Sequence, residues 1–328
     1  MKTSLIAMLL VLPVPVLAQE GPPAAAPTNA SIRNPLIGGT IGLDHVLLWA
    51  RDNTAAETYL RDKLGFVVSQ PPGSYGAGIV NQLIRFENRS YIEFLWLSDP
   101  ELARREAPQQ YAFVTTHGGS DAFGIQIEDA DETYASLRAA GFNPMNPGAE
   151  AYDPDGPSGP REPVVNQWRF MFLEDNSIPG VPFFVEYNFP PNGRRAAPEH
   201  PNGATRISSV WILVSDLAAA RAAYRRAHFA EKESVTLPHL GAEGILLDAG
   251  EGEILLLAPH STSPLAMQLQ RRGDHVVGMS IEVSNLGAAE QLIEERLEQD
   301  LARHQGRFGT SFLVPSLEPL GVLLEFHE

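Results

Sequence analysis

Leu43-Asp44-His45-Val46-Leu47-Leu48-Trp49, a short apolar run broken by Asp44 and His45, reads as a β-strand. Side chains alternate across a strand, so His45, Leu47 and Trp49 share one face. The period then changes. Asp52 is placed to cap a helix, and Thr54 to Leu60 continues at helical spacing until Gly65, a residue suited to ending a helix. Phe66 to Val68 predicts a second strand, and Pro71 to Gly78 a Gly/Pro-rich loop. Val80 to Glu87 and Tyr91 to Leu97 predict two more strands, with Asn88-Arg89 as the turn between them. The order is β-α-β-β-β.

That order recurs. Phe123 to Glu128 predicts a strand, and Asp129 caps a helix that stops at Gly141. A weak strand follows, then a polar loop from Gly148 to Pro163, then strands at Val164–Leu173 and Phe183–Asn188. Val80-Asn81-Gln82-Leu83-Ile84-Arg85-Phe86 reappears as Val165-Asn166-Gln167-Trp168-Arg169-Phe170, one residue shorter. A period this long predicts a tandem repeat. After a proline-rich linker at 190–206, a third unit has strands at Val210–Val214, Gly244–Leu247 and Glu253–Leu257, with a helix capped by Asp216. A fourth has strands at Val277–Val283, Ser311–Val314 and Val322–Phe326, with a helix at Leu286–Leu297. The predicted class is α+β, with four βαβββ units in two pairs, at 41–189 and 207–328.

Composition narrows the chemistry. The chain has 328 residues, 44% of them hydrophobic, which is enough for two packed domains. The formal net charge of −16 argues against nucleic acid, whose phosphates need a basic surface. Cysteine is absent, so disulfides, thiol nucleophiles and thiolate metal sites are excluded, and a metal would have to be held by His, Asp or Glu. Residues 1–18 read as a signal peptide: Lys2, an apolar run from Leu5 to Val16, and small residues before a cleavage point after Ala18. The expected location is secreted or periplasmic. Residues 19–40, rich in Pro and Ala, read as a flexible tether without a membrane anchor.

Four such units in two pairs resemble the vicinal-oxygen-chelate superfamily, the fold of glyoxalase I, extradiol dioxygenases and bleomycin-resistance proteins. The resemblance rests on Leu43-Asp44-His45-Val46 with Asp52, Lys63-Leu64-Gly65-Phe66, Tyr91-Ile92-Glu93-Phe94, and Glu318-Pro319-Leu320-Gly321 before Val322-Leu323-Leu324-Glu325. The first unit most resembles glyoxalase-like domains. The resemblance implies that each pair of units forms one curled-sheet domain, with a ligand inside the curl and metal ligands on the first and last strands of each unit. Those positions are His45 and Glu93, Ala122 and Glu186, Ser209 and Glu253, and Gly278 and Glu325. It therefore implies a site in the first pair with His45, Glu93 and Glu186 around a divalent metal such as Zn, Mn, Ni or Fe. Glu93 or Glu186 would be the catalytic base of a lyase or isomerase acting on a small carbonyl or vicinal-oxygen compound. The alternative implied reading is a metal-free protein that binds and sequesters a small molecule.

Each residue also has a plainer reading. His45 is either a ligand or acid–base group, or a core histidine hydrogen-bonded beside Asp44. Glu93 and Glu186 are charges inside apolar strands, so each either faces solvent or is paired. Asn81 and Asn166 could orient a substrate oxygen, or they are edge residues. Arg85 and Arg169 could clamp a substrate carboxylate, or they are exposed on an acidic protein. Trp49, Tyr91, Phe184 and Trp168 line the cup or form its core. His260, His275, His304 and His327 read as surface residues, and the second pair reads as structural or as a cup without metal. A third reading has the second pair mediating association, as a homodimer.

Overall fold

The computed structural model describes residues 40–152, 164–174, 176–188, 197–314 and 318–328. Residues 1–39, where the signal peptide and tether are expected, and 153–163, in the stretch read as a polar loop, lie outside them. The first half of the chain contributes β1 (Thr40–Trp49), β2 (Gly73–Gly76), β3 (Ile79–Arg85), β4 (Tyr91–Leu97), β5 (Phe123–Ile127), β6 (Gly148–Tyr152), β7 (Val164–Met171) and β8 (Pro182–Tyr187). They form one sheet in the order β2-β3-β4-β1-β5-β8-β7-β6. The second half contributes β9 (Ala204–Leu213), β10 (Glu231–Leu237), β11 (Ala242–Asp248), β12 (Glu253–Pro259), β13 (His275–Val283), β14 (Arg303–Gly306), β15 (Gly309–Leu313) and β16 (Leu323–His327). Their order, β10-β11-β12-β9-β13-β16-β15-β14, repeats the first sheet. In each sheet the two first strands of the units pair antiparallel at the centre, and each first strand pairs parallel with its own last strand.

Helices α1 (Asn53–Thr58), α2 (Pro100–Glu106), α3 (Pro108–Thr116), α4 (Ala130–Ala139), α5 (Leu217–Arg226), α6 (Pro264–Arg272) and α7 (Leu286–Leu297) complete the domains. One helix per unit starts the same way. The side chains of Asp52, Asp129, Asp216 and Asn285 each accept a hydrogen bond from the backbone N–H three residues on, satisfying a donor that the first helical turn leaves free.

Three expectations change. Residues 66–68 are not a strand; Phe66 and Val68 are buried there, and the pairing strand is β2, inside the Gly/Pro-rich stretch. β6 likewise lies in the stretch read as a polar loop. The described part of the linker is docked, because His200 accepts from the N–H of Val67 and its other ring nitrogen lies 2.9 Å from the carbonyl of Arg85.

Each sheet has one face on a shared core and one concave face of its own. The shared core runs from Leu43, Val46 and Leu48 through Phe94, Ile125 and Phe184 to Val210, Ile212 and Phe326. The sheets also meet through the backbone, Leu43 donating to the carbonyl of Ala249 at 2.8 Å. The first concave face is lined by Leu47, Trp49, Tyr75, Leu95, Ala122 and Phe183. The second has Trp211, Leu213, Leu246, Leu255, Leu257 and Val277.

Candidate functional site

His45 lies at the centre of the first concave face, 4% exposed. A register shift in the β1–β5 ladder falls between Leu43 and His45. Such a bulge re-aims side chains, and it lets neighbours that would point to opposite faces turn together. Nδ1 of His45 lies 2.6 Å from Oδ2 of Asp44. A carboxylate can only accept, so with Asp44 in that form Nδ1 is the donor of this contact, and in the neutral ring the lone pair is on Nε2. Nε2 lies 3.7 Å from Oε2 of Glu93, a charge contact too long to be a hydrogen bond.

Glu93 is also buried, and its place is set from β3 and β2. The amide of Asn81 donates to Oε1 at 2.8 Å. The hydroxyl of Tyr75 hydrogen-bonds to Glu93 as well; burial, reinforced by the Glu93 charge, raises that phenol well above its usual range. His45 stacks flat on Tyr91, its cross-strand neighbour, with ring centroids 4.3 Å apart, and meets the edge of Phe183 at 5.0 Å. Tyr187 donates to Oδ2 of Asp44 at 2.7 Å, and its oxygen lies 3.2 Å from that of Tyr91. Beneath the imidazole is Gly124: a Cβ there would stand 2.6 Å from Cε1 of His45. At the far end of β1, the indole of Trp49 donates to Asp121 at 2.8 Å. Burial pushes the Asp121 carboxyl up to about 6 despite that bond.

The structure therefore brings together His45, Glu93, Asn81 and Tyr91, with Trp49 in the wall. Arg85 lies on the same face of β3 as Asn81, paired across the ladder with Tyr91. Trp168 pairs with Tyr187 and shares its face. Glu186 is a correction. It accepts from the backbone N–H of Ala130 at 2.8 Å, at the start of α4, and Phe184 on the same face belongs to the shared core. Strand parity explains this: Phe183 and Tyr187 take the inward places of β8, so Glu186 points to the helix side. Arg169, paired with Glu186 across the ladder, goes with it and forms a bidentate ion pair with Asp131 at 2.7 and 2.9 Å. It is not a substrate clamp in this face. Asn166 belongs to β7, but its side chain lies outside the described residues.

With Glu186 turned away, the set His45, Glu93 and Glu186 does not assemble as a metal site. Of the two carboxylates that meet His45, Asp44 occupies Nδ1 and Glu93 faces Nε2. Among the described residues, the three-donor group with metal-ligand spacing lies in the second sheet: His239, His304 and Glu325. His304, expected on the surface, turns into that concave face, and His275 and His327 are buried. Glu253 pairs with Lys232 and Arg307 at 2.9 and 3.1 Å.

Sequence reasoning missed Tyr75, Tyr187 and Asp121 as members of the first site. Tyr187 directly follows Glu186, so the parity choice that admitted one excluded the other. Tyr75 sits in the stretch read as a loop, and no periodicity marks it.

The paired curled sheets define a vicinal-oxygen-chelate fold. Solved structures agree: a mutant of 4-hydroxymandelate synthase from Streptomyces coelicolor superposes with a TM-score of 0.61 at 15% identity, over 88% of this chain and 92% of that one. A hypothetical protein from Staphylococcus aureus does so with a TM-score of 0.55 at 11% identity, over 87% of this chain and 98% of that one. These identities speak for the fold alone. Residues 43–230, more than half of the chain, match the model of the glyoxalase-like domain, and the chain belongs to that family. No curated protein matches the sequence.

Proposed function

We propose that the first concave face is a small-molecule site where His45 moves a proton on a carbonyl compound, as a lyase or isomerase does. One observation carries the reading: a buried histidine has one nitrogen held by Asp44 and the other, 3.7 Å from Glu93, without a close partner. Neutral His45 would take a proton from a carbon beside the carbonyl at Nε2. Asp44 fixes the tautomer and, with Glu93, stabilises the imidazolium that forms. The same proton, returned to a neighbouring atom, completes an isomerisation; loss of a leaving group from the carbanion would complete an elimination. Asn81 has a second amide hydrogen available for the oxygen that gains charge.

The test is deuterium exchange followed by NMR over a panel of small hydroxy aldehydes, keto acids and thioesters. Wild type should accelerate exchange at the carbon next to the carbonyl of at least one, and His45→Ala should lose that acceleration. No exchange with any compound, or equal exchange by the variant, removes the proposal. Saturable binding without exchange would instead favour the sequestering reading.

Export is part of the same proposal. The Lys2 to Ala18 pattern supports it, and a mature protein beginning at Gln19, read by N-terminal sequencing from the producing cell, is the expected result. An intact Met1 terminus on the folded protein would remove it.

A further inference from the structure

The second concave face gathers donors that the first lacks. Its two outer strands, β10 and β14, stand at opposite ends of the hydrogen-bonded order, yet the curl of the sheet brings them together. His239, in the turn after β10, stacks on His304 of β14 with ring centroids 3.9 Å apart. Nε2 of His304 lies 3.0 Å from Oε1 of Glu325 on β16. Donor atoms from His239, His304 and Glu325 all lie within 4.8 Å of one another.

We propose that His239, His304 and Glu325 hold a divalent transition metal ion with coordination positions left open. Two imidazoles and one carboxylate on one side of an ion form a set suited to zinc, iron, cobalt or manganese, whereas magnesium and calcium prefer oxygen alone. Donors cis to one another on such an ion are about 3.0–3.4 Å apart, given bonds of about 2.1 Å. The His304–Glu325 separation already matches. His239 has to close the rest, and its place in a turn leaves it free to do so.

Further geometric observations favour an ion over a bare ion pair. Nε2 of His239 is buried and has no hydrogen-bond partner among the described residues, an arrangement that costs free energy unless something else meets that nitrogen. The carboxylate is supported as metal ligands are: Ser280 donates to Oε2 at 2.7 Å and Ser311 to Oε1 at 2.8 Å. Behind them, Ser209 donates to Ser280, and the indole of Trp211 donates to both. Gly306 leaves the carboxylate its space, since a Cβ there would collide with Glu325 and Ser311. The first strands of these units carry Ser209 and Gly278 at the family's ligand places, so the histidines come from the outer strands instead. The site is independent of the proton-transfer reading of the first face.

Titration of the purified full chain with Zn(II), and with Co(II) as a visible-spectrum probe, tests the proposal by stoichiometry and affinity. Wild type should bind one equivalent and develop Co(II) absorption bands. Glu325→Gln and His239→Ala should each weaken binding by roughly 100-fold or more. His239 lies on a half-buried turn, so its variant is expected to fold, with circular dichroism as the check; His239→Gln serves as the second variant. His45→Ala and Glu93→Gln should bind as wild type does. Absence of binding by wild type, wild-type affinity in both second-face variants, or loss of the ion in His45→Ala would each overturn the assignment.

Discussion

The two concave faces share one strand order and differ in what they bury. The first holds a histidine on its central strand, fixed by Asp44 and facing Glu93. The second has Ser209 and Gly278 at the corresponding central places and brings its histidines in from the outer strands. Both bury a last-strand carboxylate and satisfy it from a neighbouring strand, Glu93 by Asn81 and Glu325 by Ser280 and Ser311. One scaffold thus supports a carboxylate in the same way twice, and the histidine opposite it sets the chemistry. In the first face one imidazole lies between two carboxylates, Asp44 and Glu93. In the second, two imidazoles and the carboxylate converge on one point.

The sharpest test of this difference is His45→Ala. It should lower proton exchange by about 10²- to 10⁴-fold while leaving second-face metal affinity unchanged, as steady-state rates and titration on the same preparation would show. A joint loss would mean that the faces are not separate sites.

Acid and base should act on the two halves with opposite sign. Asp121 has its pKa raised to about 6, chiefly by burial. Its contribution is therefore fully present below about 4, the unfolded value, and is lost as pH rises through about 6, an effect of about 2–3 kcal/mol. His275 is lowered to about 4, again chiefly by burial. Its contribution is present above about 6.5 and is lost as pH falls toward 4. Urea unfolding between pH 4 and 7 should show Asp121→Asn gaining on wild type as pH rises, and His275→Gln losing less than wild type as pH falls.

Gly124 and Gly306 offer a matched pair. Each leaves room for a functional side chain, the His45 ring in one face and the Glu325 carboxylate in the other. Alanine at either should cost about 1–3 kcal/mol in chemical denaturation, because the backbone and the facing side chain cannot both stay in place. Gly124→Ala should impair exchange alone, and Gly306→Ala metal affinity alone. The smallest effect belongs to Arg169→Met: about 0–1 kcal/mol of stability, since Asp131 is largely exposed, and no change in turnover. A drop in turnover there would return Arg169 to the substrate site.

The sequence by itself determined the central strands of each unit, one helix per unit and their order. Strand periodicity, the caps at Asp52, Asp129 and Asp216, and the recurring unit are local properties, and the structure has the paired curled sheets that the family resemblance implied. It also marked His45 and Glu93 as polar residues in apolar strands, and the structure brings the two together. Its failures share a cause. Glu186 and Glu325 look alike along the chain, each a carboxylate in an apolar last strand, yet Glu186 turns to the N-terminus of α4 and Glu325 turns inward. One residue of register separates the two outcomes, and register is set by cross-strand partners far away in sequence. The same holds for His239 and His304, 65 positions apart with no spacing to link them. The curl of the second sheet decides that they meet, because it brings its first and last hydrogen-bonded strands together across the open face.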